Sequence, residues 1–268
     1  MTFVLIKDAV SVLSVFTFLF WRFGIASLLL LVFFFPTLKK LDKTLVWHGV
    51  LLGSLLAGTV VFQSIGLQYT TASHASFITG LSVILVVLFT ALFQKKFPSA
   101  AVVTGVFLAM LGLALVTLQS NLSINVGDLW VLLCAFCFAG YILLAGKYTH
   151  LHGALPLTIV QIFTIAVFSG LISLLQGSFV VPQSYAVWQA ILFCAIFASV
   201  LAFSLQIHFQ RYVSATKTAI LFTTEPIFAT ITAILYAGEV LTLKFVLGAT
   251  LIFCAMILTQ FPTKKKKR

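Results

Sequence analysis

Charge is scarce in this sequence. Asp, Glu, Lys and Arg make up 8% of its 268 residues, and only five residues are acidic. A soluble domain covers its surface with roughly a quarter charged residues, and that coat is missing here. So few acids also leave no constellation for intramembrane catalysis, because only Glu225 sits deep within an apolar run. There is no Gly-x-x-x-x-Gly-Lys-Ser/Thr phosphate loop, which argues against direct ATP drive, and no His-Glu-x-x-His or Gly-x-Ser-x-Gly. The four cysteines, Cys134, Cys137, Cys194 and Cys254, all lie in apolar stretches. Cys134 and Cys137 form a Cys-x-x-Cys flanked by Leu, Ala and Phe. With no second ligand pair nearby, they read as small packing residues. No metal, no cofactor and no enzymatic activity is expected. The first apolar run has neither a basic segment before it nor a small-residue cleavage site after it, so no cleavable signal peptide is expected.

What the chain has is apolar length. Hydrophobic residues make up 62% of it, 28 of them Phe, and the mean hydropathy is +1.19. This material runs through the whole sequence, so the expected partner is a lipid bilayer. A helix needs about 20 apolar residues to cross about 30 Å of hydrocarbon. Nine runs qualify: 12–35, 45–66, 72–93, 99–119, 127–148, 154–176, 186–208, 214–237 and 243–261. Breaker residues separate them, among them Pro36, Pro98, Gly127, Gly153, Pro156, Pro182 and Gly238. Barrel strands are about half as long and alternate in polarity, so the predicted class is an all-α polytopic bundle. Residues 1–6 are apolar but too short to cross, and read as a stub of a first helix.

The net charge of +11 would suit nucleic acid if it formed a surface patch, but its placement speaks against that partner. Five of the sixteen positive charges are the last five residues, and most others fall between the apolar runs. Alternate breaks carry them: Lys39, Lys40 and Lys43; Lys95 and Lys96; Lys147; Arg211 and Lys217; then the tail. By the positive-inside rule this set is cytoplasmic, with the C-terminus. Nothing in the sequence specifies an oligomeric state.

The chain also repeats. Residues 69–117 slide onto 212–260 without a gap, bringing Tyr69 onto Tyr212, Ala72 onto Ala215, Ile84 onto Ile227 and Gly105 onto Gly248. Upstream, Trp47 meets Trp188, Ala57 meets Ala198 and Phe62 meets Phe203. A unit of five helices is odd, so the second copy enters the membrane from the opposite side. The expectation is two inverted five-helix repeats, nine full spans plus the stub, a construction that sets a substrate site near mid-membrane.

The stretch Thr224-Glu225-Pro226-Ile227-Phe228-Ala229-Thr230, then Tyr236-Ala237-Gly238-Glu239, Leu241-Thr242 and Gly248-Ala249-Thr250-Leu251-Ile252, resembles the second repeat of the EamA family. That family belongs to the drug/metabolite transporter superfamily. Lys7, Trp21-Arg22-Phe23 and Gly127-Asp128 match it as well. Two places depart from the pattern: Leu81-Ser82-Val83 stands where the first repeat usually carries a proline, and Gln94-Lys95-Lys96 where it carries Gly-Glu. The resemblance covers essentially the whole chain. It implies repeats over 1–121 and 122–262, followed by a basic cytoplasmic tail, 263–268. It further implies a central cavity and secondary transport, as export or exchange of a small-molecule metabolite across the cell membrane. The alternative is a non-transporting or truncated member of the same family.

Among single residues, Glu225 stands out. A charge at the centre of a membrane helix costs at least about 2.5–3.5 kcal/mol, so it should face protein or water. It is read either as a proton carrier or substrate contact, or as support for a helix kink at Pro226. Arg22 either binds an anionic group, pairs with Asp8, or snorkels to the interface. Gln63, His74, Gln161 and Gln206 are polar groups in or at the ends of spans, fit to line a cavity or to bond neighbouring helices.

Overall fold

Backbone N–H and C=O groups find no water in a bilayer, so a chain this apolar satisfies them within helices. The computed structural model describes residues 2–36, 41–95, 97–117, 125–225, 227–228 and 243–260, and these are helical apart from turns and short connections. The helices are α1 (Thr2–Val12), α2 (Val15–Phe33), α3 (Lys43–Leu67), α4 (Ala72–Gly80), α5 (Ser82–Gln94), α6 (Ala100–Thr117), α7 (Val126–Tyr148), α8 (Ala154–Leu175), α9 (Tyr185–Phe193), a π-helical segment (Cys194–Leu201), α10 (Ala202–Gln210), α11 (Ala215–Phe222) and α12 (Leu243–Gln260).

Six stretches are long and apolar enough to cross a membrane: Val15–Phe33, Lys43–Leu67, His74–Phe93, Val126–Tyr148, Ala154–Leu175 and Tyr185–Gln210. The apolar helices at Ala100–Val116 and Leu243–Thr259 are shorter. The expected span 214–237 is described only in part, and Pro226, Gly238, Glu239 and the basic tail lie outside the described residues. The chain is a polytopic helical membrane protein.

Local chemistry sets the helix starts. Ser14, Asp42, Thr71 and Ser214 each accept a hydrogen bond from a backbone N–H in the first turn of the helix that follows, satisfying donors that a helix start leaves open. Asn125 and Asp128 form a reciprocal capping box on α7. The break ahead of α2 falls at Leu13 and Ser14, so the first helix runs past Lys7 and Asp8 rather than ending at residue 6. The expected single run 72–93 is interrupted at Leu81, whose N–H turns back to Ile78 and Thr79.

Packing is organised by pairs: α2 on α8, α3 on both α7 and α8, and α6 on α12. The core between them buries Phe18, Leu19, Phe23, Leu52, Tyr141 and Ile162. The rim exposes Leu28, Phe93, Phe107 and Leu171, as the lipid-facing side of a membrane protein should. At the crossing of α6 and α12 the two backbones touch. A Cβ on Gly112 would lie 2.5 Å from the Gly248 carbonyl oxygen, and one on Gly248 would lie 2.6 Å from that of Gly112. Small residues of this kind let membrane helices approach closely.

Candidate functional site

The cavity of interest is bounded by α1, α2, α3, α4, α7, α9, the π segment, α10 and α11, and encloses about 340 Å³. Ligand pockets run from roughly 300 to 1,000 Å³, so it has room for a small metabolite. Its wall is mostly apolar, with Phe138, Phe193, Phe197, Phe203 and Phe222 among the lining residues. Phe138 meets Phe222 edge-on at 5.1 Å, and Phe193 lies 5.0 Å from Phe197. Into this aromatic wall project the polar groups Arg22, Thr59, Gln63, Thr79, Gln206 and Glu225.

Each polar group has a distinct setting. Arg22 is 4% exposed, on the inward face of α2. Its Nε donates to the Ser199 hydroxyl at 2.9 Å. It therefore neither snorkels nor pairs with Asp8, which is exposed to solvent. Gln63 donates to the Thr79 hydroxyl at 3.4 Å, and Gln206 to Gln210 Oε1, also at 3.4 Å. Glu225 follows the point where α11 ends at Phe222, and its side chain is exposed, opening on the cavity. The break at Leu81 lies close by. Ser82 of α5 and Thr79 of α4 share a small hollow with Thr223 and Glu225. The interrupted helices therefore meet near their interruptions, and Thr79 and Glu225 line both this hollow and the larger chamber.

Four of the six residues singled out from sequence, Arg22, Gln63, Gln206 and Glu225, line this one chamber. The other two do not. His74 is 4.0 Å from Asp128, in a polar knot in which Thr70 donates to Asp128 at 2.6 Å and Lys7 donates to the Thr70 carbonyl at 3.0 Å. Gln161 is wholly buried in α8, behind the wall, beside Tyr141. Pro226 lies outside the described residues.

Sequence reading missed Ser199 and Thr79. Both are ordinary hydroxyls in apolar runs, and only the π-helical turn that carries Ser199 toward Arg22 distinguishes it. Such segments insert extra backbone into a helix and recur at functional sites. Also missed was the pairing of His48 Nδ1 with His152 Nε2 at 2.8 Å, which ties the start of α3 to the turn after α7.

An all-helical membrane bundle around a polar-studded apolar chamber has the form of a solute carrier. The chain belongs to the EamA-like transporter family, which matches residues 1–118 and 125–261, and is thus a membrane transporter rather than an enzyme. It is 32% identical over 259 residues to a protein of Archaeoglobus fulgidus named an uncharacterized transporter, covering 97% of this chain and 81% of that one. It is 29% identical to the uncharacterized transporter YyaM of Bacillus subtilis, covering 96% and 88% of the two chains. The uncharacterized inner membrane transporter YicL of Salmonella typhimurium is 26% identical over 75% of this chain and 68% of its own length. One crystal structure superposes with a TM-score of 0.77 at 15% identity, covering 96% of this chain and 93% of that chain, and shares the fold.

Proposed function

We propose that this protein is a secondary transporter that exports a small metabolite across the cytoplasmic membrane by alternating access, with Glu225 as the site of proton coupling. The observation that carries this reading is the chamber itself. It draws Arg22 and Gln63 from before residue 121 and Gln206 and Glu225 from after it, and Thr79 and Glu225 line both it and the small hollow between the two interrupted helices.

Two inverted repeats, 1–121 and 122–262, supply the two near-equivalent packings that alternating access requires. Contacts at the α6–α12 crossing support that reading. The slide that lays residues 69–117 on 212–260 carries Gly105 to Gly248, Gly112 to Ala255 and Val116 to Thr259. Gly105 lies against Ala255 and Thr259, while Gly248 lies against Gly112 and Val116, which is the pattern a local two-fold axis produces. The same slide carries Thr71 to Ser214, and both cap their helices in the same way. It also carries Leu81 to Thr224, so the two interruptions correspond.

The test is reconstitution of the purified chain into liposomes, with a panel of metabolites inside and a pH gradient imposed. Efflux of at least one compound that collapses with the gradient is expected. If no compound crosses under any gradient, the non-transporting reading replaces this one.

A further inference from the structure

Arg22 is a buried cation whose surroundings do not neutralise it. Among the described residues the one ion pair is His74 with Asp128 at 4.0 Å, and neither lines the chamber. The hydrogen bond that Arg22 makes among the described residues goes to a neutral hydroxyl, that of Ser199. Glu225 shares the chamber but forms no ion pair with it. A guanidinium has five N–H donors in a planar fork, and the Nε bond to Ser199 leaves its outer edge for the chamber. Taking a charge out of water without a counter-ion is unfavourable even after relaxation. A fold that holds such a charge at the wall of a ligand-sized chamber has left the place of the counter-ion open.

We infer that Arg22, oriented by Ser199 on the π-helical segment, is an anion subsite, and that the transported solute is a small organic monocarboxylate with an apolar or aromatic body. The inference rests on the carrier reading given above and names its substrate class. Three features of the chamber narrow the choice. The guanidinium fork matches the two oxygens of a carboxylate. Arg22 is the one Lys or Arg among the residues lining the chamber, which suits a solute with a single negative charge. The remaining wall is rich in phenylalanine rings, which accept an apolar or aromatic body by burial and edge-to-face contact. Ser199 acts here as a positioning residue: it fixes Nε and so aims the fork.

The experiment measures equilibrium binding to the purified full-length protein in detergent. Its probes are 3-phenylpropionate, the neutral 3-phenylpropanamide and the cationic 2-phenylethylamine. The wild type is expected to prefer the carboxylate over the amide by roughly 10- to 100-fold, the range of a hydrogen-bonded charge contact. Arg22→Gln should erase that preference and Arg22→Lys should keep part of it. Ser199→Ala should reduce the ratio several-fold and Ser199→Thr should restore it, a rescue that a merely structural role would not give. Because each variant is read as a ratio of two ligands on one preparation, partial misfolding cancels. Equal binding of carboxylate and amide by the wild type, preference for the amine, no binding of the carboxylate, or a preference that survives Arg22→Gln would each overturn the inference. Counterflow in proteoliposomes separates this failure from that of the carrier reading. Movement of the amide or the amine at full rate leaves a transporter without an anion subsite, whereas a membrane crossed by none of a broad metabolite panel removes the transporter itself.

Discussion

Glu225 bears an acidic group in a stretch otherwise built of Leu, Phe, Thr, Pro and Ile, and it keeps its side chain exposed by opening on the chamber. If it carries the coupling proton, Glu225→Gln keeps the volume and hydrogen bonding but removes the titration. Flux driven by a pH gradient should vanish, while the far-ultraviolet circular dichroism and the melting curve stay as in the wild type. Wild-type pH dependence in that variant would remove the coupling role. Asp128 is a different kind of acid. Its oxygens take hydrogen bonds from Thr70 and from the Asn125 backbone, so it fastens the start of α7 to the turn between α3 and α4. Asp128→Ala should cost about 1–3 kcal/mol from the lost cap and the orphaned donors, read as a lower unfolding midpoint in detergent. Sequence reading found Arg22, Gln63, Gln206 and Glu225 because polar groups in long apolar runs need partners or water. It could not separate these from His74 and Gln161, which satisfy the same rule, since the direction a helix faces is decided by its neighbours.

Helix limits followed from hydropathy to within a few residues for most of the spans, while the interruptions within them did not. Leu81 is apolar, follows a glycine and precedes Ser82, and an average over 18 residues passes across it. The π segment at Cys194–Leu201 is equally invisible, since it contains neither proline nor glycine. Both are fixed by what they pack against, with Gly80 set against Leu113 and Ser199 bonded to Arg22. The α6–α12 crossing gives a sharper test of element packing. Gly112→Ala places a methyl group against a backbone carbonyl that has no side chain to move, and should destabilise by about 1–3 kcal/mol. Gly248→Ala should cost about the same, since it meets the mirrored contact. Once the helices have been pushed apart by one methyl, the second should cost less, so the double variant should fall short of the sum in thermal unfolding.

At the scale of the molecule, the all-helical membrane class was legible, because apolar length runs through the whole sequence, while the alternation of basic loops and the self-alignment add a proposed orientation and repeat. The orientation they imply is open to test. With native cysteines replaced, Gln183→Cys should react with a membrane-impermeant maleimide added to intact cells, and Lys95→Cys only after the cells are opened; both side chains are exposed. The reverse order would invert the proposed topology. A final consequence belongs to the interruption at Leu81. Every residue from Gly80 to Val83 retains its amide hydrogen, so no backbone donor is missing at this break. Its counterpart follows Glu225 with proline, an imino acid that has no such hydrogen to give. If the two repeats are related as proposed, only the first interruption keeps every backbone donor that a continuous helix would use.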